Sequence, residues 1–112
     1  MNYALMIYGS QSAAEAASER TRELDPRIAA VLERPGVTGW SRLQGVESAT
    51  TVRRQEGRTI LTDGPFLDSK EYLGGLVIVD TEDLDGALAI AAELQELRPE
   101  VAIEVRPVLE AS

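Results

Sequence analysis

Neither cysteine nor histidine occurs in these 112 residues. Without cysteine there are no disulfides, no thiolate nucleophile and no zinc–thiolate site. Without histidine the usual general base near neutral pH and the commonest metal ligand are missing. A Ser-His-Asp arrangement is impossible. Acid–base chemistry falls to Asp, Glu, Lys or Tyr, or to a bound cofactor. A metal site would rest on carboxylates alone, so neither metal nor cofactor is expected. Long apolar runs are absent too, and none approaches the ~20 residues that cross a bilayer. The opening "MNYALMIYG" is apolar but has no basic flank, so it reads as a first strand rather than a signal peptide. No membrane partner and a cytoplasmic location are the expectations.

Basic charge is scarce in one half only. Residues 1–56 hold seven basic and seven acidic side chains, whereas residues 57–112 hold four and twelve. The whole net charge of −8 therefore lies in the second half. Such a surface repels phosphate backbones, so nucleic acid is not an expected partner. What remains is ordinary for a globular chain: 44% hydrophobic and 27% charged. The length suits one domain over residues 1–112, able to bury roughly two-thirds of its unfolded surface.

Periodicity then places the elements. Residues 3–8 are apolar on both sides and end at Gly9, the mark of a central strand. Ser12 and Glu15 have capping-box spacing ahead of a helix over 13–24. Asp25 before Pro26 starts a second helix, 26–33, which "RPG" stops. Strands are predicted at 40–43, 49–55 and 58–61, with Glu56–Gly57 as a hairpin turn between the last two. Residues 74–80 form the strongest strand, with Leu76 and Ile78 on one side and Val77 and Val79 on the other. Thr81 is the expected cap of a helix in which Leu84, Ala87, Leu88, Ala91 and Leu94 follow helical spacing. A last strand, 101–108, puts Ile103 and Val105 opposite Glu104 and Arg106. The order is α+β: an antiparallel sheet with helices on one face, best fitted by a ferredoxin-like arrangement with extra strands in the middle.

Several short segments resemble a known family. They are "LMIYG" at 5–9, "ATTVR" at 49–53, "TDGPF" at 62–66, "KEYLGG" at 70–75, "DLDGAL" at 83–88 and "EVRPV" at 104–108. Together they resemble the YCII-related, or DGPF-domain, family over nearly the whole chain. The resemblance implies a homodimer of the dimeric α+β barrel type, built from ferredoxin-like protomers. Such a dimer also answers a physical need, because a sheet with helices on one face leaves its other face bare. Members of the family are mostly uncharacterised; a few relatives in the wider superfamily are lyase- or isomerase-like, with a proposed His–Asp catalytic pair. This chain has no His, so only the acid, Asp63, matches. The family's association with extracytoplasmic-function sigma factors implies a regulatory role as a further possibility.

Candidate site residues follow from both lines. Asp63, at a strand end beside Gly64–Pro65, suits a general acid or base in a pocket for a small organic molecule. The alternative is a turn residue whose carboxylate accepts backbone N–H bonds. Arg53 and Lys70 would hold an anionic substrate, and Tyr8 would orient it through its hydroxyl. The structural alternatives are an Arg53 salt bridge to Glu104 or Asp63, a Lys70–Glu71 surface pair, and a core role for Tyr8. Arg54 must face away from Arg53. Gly74–Gly75 lacks the phosphate-loop pattern and suits a bulge.

Overall fold

A computed structural model of the chain describes residues 1–10 and 24–110. The helix predicted over 13–24, with its capping box, lies outside the described residues except for Leu24. Six strands and two α-helices are described: β1 (Asn2–Ser10), α1 (Pro26–Leu32), β2 (Val37–Arg42), β3 (Thr50–Gln55), β4 (Arg58–Asp63), β5 (Glu71–Asp80), α2 (Leu84–Leu97) and β6 (Ala102–Pro107). A single 3₁₀ turn, Val46–Ser48, precedes β3.

Four strands form one sheet in the order β2-β5-β1-β6. Every neighbouring pair is antiparallel. The two inner strands are β1 and β5, the two whose sequences are apolar on both sides. The pair β3–β4 forms a separate two-stranded ribbon.

Register decides what each face carries. Tyr3 pairs with Val79 and Leu5 with Val77, and all four are buried against the helices. Ile28, Val31 and Leu32 of α1 and Ala87, Ala91 and Leu94 of α2 complete this core. Leu5 and Val79 have no exposed surface. The small side chains of Ala87 and Ala91 let α2 approach the sheet closely, whereas Leu84 and Leu88 on the same helix stay exposed. The opposite sheet face pairs Ala4 with Ile78 and Met6 with Leu76. These four are only half-buried. The predicted alternation of β5 and of β6 is therefore correct.

Capping explains where the helices begin. The Asp25 carboxylate accepts from the Arg27 N–H at 2.8 Å, and Pro26 opens α1 as expected. The cap of α2 is Asp83 rather than Thr81: its carboxylate accepts from the Gly86 N–H at 3.0 Å. Thr81 instead donates to the Asp83 carbonyl at 2.8 Å. It also fills the space beside Gly86, where a Cβ would lie 3.0 Å from the Thr81 Cβ. That close approach is the reason for a glycine in the first turn.

Two strands start three residues earlier than periodicity suggested. β2 begins at Val37 because a register shift between Val37 and Gly39 keeps it paired with β5. β5 begins at Glu71, opposite Ser10. A further shift between Ile7 and Tyr8 falls opposite Gly74–Gly75, the predicted bulge. No helix among the described residues is long and apolar enough to cross a membrane.

Arg34 after α1 and Glu93 of α2 form a forked ion pair, with Nη2 donating to Oε1 at 2.8 Å. This bond holds the Glu93 carboxyl below its usual range. A lowered folded-state pKa gives stability that is present above the unfolded value and lost as pH falls through the folded one. Glu93→Gln should therefore be slightly less stable than wild type at pH 7. The difference should shrink as pH falls below the ordinary glutamate range and vanish only once the carboxylate is protonated in the folded state as well. Urea midpoints across pH 3–7 would check this, and a pH-independent gap would refute it.

Candidate functional site

The ribbon β3–β4 and the loop after it place the "TDGPF" motif. Gln55 pairs with Arg58, leaving Glu56 and Gly57 as a two-residue turn. Both have positive φ, 50° and 77°, as a type I′ hairpin turn requires. At the other end Asp63 pairs with Thr50. The chain then reverses at Gly64, whose φ of 100° suits only glycine.

The reversal is held without the Asp63 side chain. The Gly64 N–H donates to the Ala49 carbonyl at 2.8 Å. The Thr51 hydroxyl donates to the Gly64 carbonyl at 2.7 Å. Asp63 itself is exposed, and among the described residues its carboxylate accepts no hydrogen bond. The turn role weighed for this carboxylate is therefore filled by Thr51 and the backbone.

A cleft opens beside it. Val46 and Glu47 of the 3₁₀ turn, Asp63, Gly64 and Pro65, and Asp68 and Tyr72 line a volume of about 330 Å³. Tyr72 orders one wall. Its hydroxyl donates to the Asp68 carboxylate at 3.2 Å and accepts from the Ser69 N–H at 3.1 Å. Glu47 lies back over Gly45, in the space a side chain there would occupy. Three carboxylates and one phenol thus share the cleft, with no cation in its lining. Among the described residues no three acidic side chains converge closely enough to cage a metal ion. The field at the cleft favours cations or neutral hydrogen-bond donors over anions.

The other predicted residues lie elsewhere. Arg53 pairs with Ile60, so strand alternation puts it on the ribbon face opposite Asp63. There its guanidinium lies 5.2 Å from the centre of the Phe66 ring, a cation–π contact. Glu104 pairs with Arg106 at 2.6 Å, so neither acid weighed as a partner for Arg53 bonds it. Lys70 is exposed, forms no ion pair with Glu71 and does not line the cleft. Tyr8 pairs with Ala102 and sits half-buried on the open sheet face. Tyr72, Asp68 and Glu47 were not singled out from the sequence. The Asp68–Tyr72 spacing across a loop-to-strand junction carried a signal; Glu47 carried none, because its place depends on how the 3₁₀ turn meets Pro65.

If Asp63 is not needed for the turn, removing it should cost little. Asp63→Ala should change unfolding free energy by less than about 0.5 kcal/mol. Thr51→Val, which leaves the Gly64 carbonyl short of a donor, should cost about 1 kcal/mol. Urea unfolding at one fixed protomer concentration tests both. A loss near 2 kcal/mol for Asp63→Ala would return this residue to a structural role.

Comparison with known proteins agrees with the motif. The family model described as "YCII-related domain" matches residues 1–112. An uncharacterised protein of Rhizobium meliloti (strain 1021) is 34% identical over 113 residues, covering 96% of this chain and 91% of that protein. The match spans the ribbon, the DGPF turn and the cleft walls alike, and the chain belongs to the YCII-related family.

Proposed function

We propose that this protein is a homodimer of ferredoxin-like protomers that binds a small organic molecule in the cleft at Asp63. The observation that carries the reading is a carboxylate free of hydrogen bonds, in a turn that does not use it, facing a cleft of ligand size. Thr51 and the backbone hold the turn without that carboxylate, which leaves it available to a ligand.

The ferredoxin-like part is supported by the strand order β2-β5-β1-β6, with helices between β1 and β2 and between β5 and β6. That is the order of a β-α-β-β-α-β unit, with the ribbon inserted between its second and third strands. The dimer is supported by the open face of Ala4, Met6, Leu76 and Ile78, which no described helix covers. Tyr8 lies on that face, where a second copy would meet it.

A second reading is a lyase- or isomerase-like enzyme in which Asp63 moves a proton. The Tyr72 hydroxyl favours it, being already fixed by Asp68 and Ser69 beside the same cleft. A fixed phenol and a free carboxylate form an acid and base pair without histidine. Asp63 is then the catalytic group, and Lys70 or Arg53 would contact substrate only across the dimer.

Thermal shift tests the binding claim. Wild type and Asp63→Asn would be screened against small amines, neutral carbonyl compounds and organic acids. A ligand at about 100 times its Kd adds roughly 2.7 kcal/mol, or a rise of about 10 °C or more for a chain of this size. An amine or neutral compound should raise the wild-type midpoint and lose most of that effect in Asp63→Asn. Equal shifts in both proteins, or shifts from anions alone, would overturn the reading.

A further inference from the structure

The loop between β4 and β5 builds much of the cleft, yet hydrogen bonds hold it only at its two ends. It supplies Gly64, Pro65 and Asp68 to the lining. At the near end Gly64 is fixed by the Ala49 carbonyl and the Thr51 hydroxyl. At the far end Asp68 and Ser69 are fixed by the Tyr72 hydroxyl. Between these anchors, Pro65, Phe66 and Leu67 make no hydrogen bond to any described residue. Phe66 and Leu67 are also 64% and 66% exposed, so no core holds them.

What the middle stretch does have is the Arg53 guanidinium, 5.2 Å from the centre of the Phe66 ring. Its place follows a spacing. Thr51 and Arg53 are two residues apart on β3 and therefore share a face of the ribbon. Gly64 and Phe66 are also two apart, and each meets its counterpart: Thr51 bonds Gly64, and Arg53 lies over Phe66. The loop thus turns back over β3, and Pro65, between the two contacts, lines the cleft. Arg53 forms no ion pair with any described residue, which leaves its guanidinium to the ring.

We propose that Arg53 is a positioning residue of the cleft: its stack on Phe66 latches the loop and sets where Pro65 stands relative to Asp63. This rests on the reading of the cleft as a ligand site. Arg53 then acts from the ribbon face opposite Asp63, without touching the ligand. A cation over an exposed ring is a weak hold, so the latch opens often. A ligand that needs the closed wall binds less tightly by the fraction of time the wall is open. The planar guanidinium also explains an arginine here, since an ammonium is a point charge that cannot stack.

Charge and latch predict opposite signs, which makes the role testable. Arg53→Gln removes a cation near an acidic cleft, so electrostatics alone would tighten the binding of another cation. Loss of the latch would weaken it. The probe is butylammonium, titrated by amide chemical shift into wild type, Asp63→Asn, Arg53→Gln, Arg53→Lys, Phe66→Leu and the Arg53→Gln/Phe66→Leu double variant. Both residues are exposed, so each variant should keep the wild-type far-UV spectrum. Arg53→Gln and Phe66→Leu should each raise the Kd about two- to fivefold. The double variant should be no worse than either, because both remove one contact. Arg53→Lys should also bind more weakly, although its charge is kept. Backbone order parameters read the latch without any ligand. Those of Phe66 and Leu67 should be near wild-type strand values and fall toward roughly 0.6 in Arg53→Gln, with Gly64 unchanged. Order parameters that are equally low in wild type, or unchanged in Arg53→Gln, would overturn the latch. So would a tighter Kd in Arg53→Gln with none of the effect in Phe66→Leu; Asp63-dependent binding would then leave the ligand reading standing. Absence of Asp63-dependent binding would overturn the ligand reading and the positioning role together, whatever the loop does.

Discussion

The antiparallel pairing of β1 with β5 is the constraint on which the other elements depend. Both strands are apolar on both sides, so each must be covered twice. Burying Leu5 and Val79 completely under α1 and α2 satisfies one face. The same register then commits Met6, Leu76, Ala4 and Ile78 to the other face, since a strand cannot turn one side chain inward without turning its neighbour out. The open face is thus a consequence of the core. β2 and β6 take the edges: one register shift lies within the central pair, between Ile7 and Tyr8, a second aligns β2 with β5, and β6 pairs with β1 without any shift.

The DGPF turn is built under a second constraint, a backbone reversal at the end of a ribbon. Gly64 supplies the conformation, and Thr51 and Ala49 supply the hydrogen bonds. Asp63 is left over from that arrangement. In a chain without histidine, the ligand contact or proton transfer proposed above would fall on this carboxylate, which the turn does not use. Its neighbours sharpen the chemistry. Glu47 and Asp68 make the cleft acidic, and Asp68 with the Ser69 amide fixes the Tyr72 hydroxyl. A cleft lined by three carboxylates repels anions, and Tyr72, not Arg53 or Lys70, stands on its wall.

Local rules were legible where the answer was local. The Asp25–Pro26 start of α1, the Glu56–Gly57 turn, the bulge at Gly74–Gly75 and the central place of β5 all follow from spacing and residue type. The cap of α2 was displaced from Thr81 to Asp83, because both residues can cap and only packing against Gly86 chooses between them. Asp63 was legible as a candidate from its motif. Its company was not. Arg53 and Asp63 look close in a list of polar residues, but the pairing of Arg53 with Ile60 and of Asp63 with Thr50 sends them to opposite faces of the ribbon.

The sequence by itself determined the α+β class, the central strands, the start of α1, the hairpin turn and the absence of thiol or imidazole chemistry. These depend on periods of 2 and 3.6 residues and on side-chain inventory, and both can be read along the chain. Tertiary structure alone decided that β3–β4 stands outside the main sheet, that Glu47, Asp63 and Tyr72 share one cleft, and that Arg53, Lys70 and Tyr8 do not join them. Those facts depend on inter-strand register and on contacts between segments distant in sequence. A one-residue slip would change every one of them while leaving each local pattern intact.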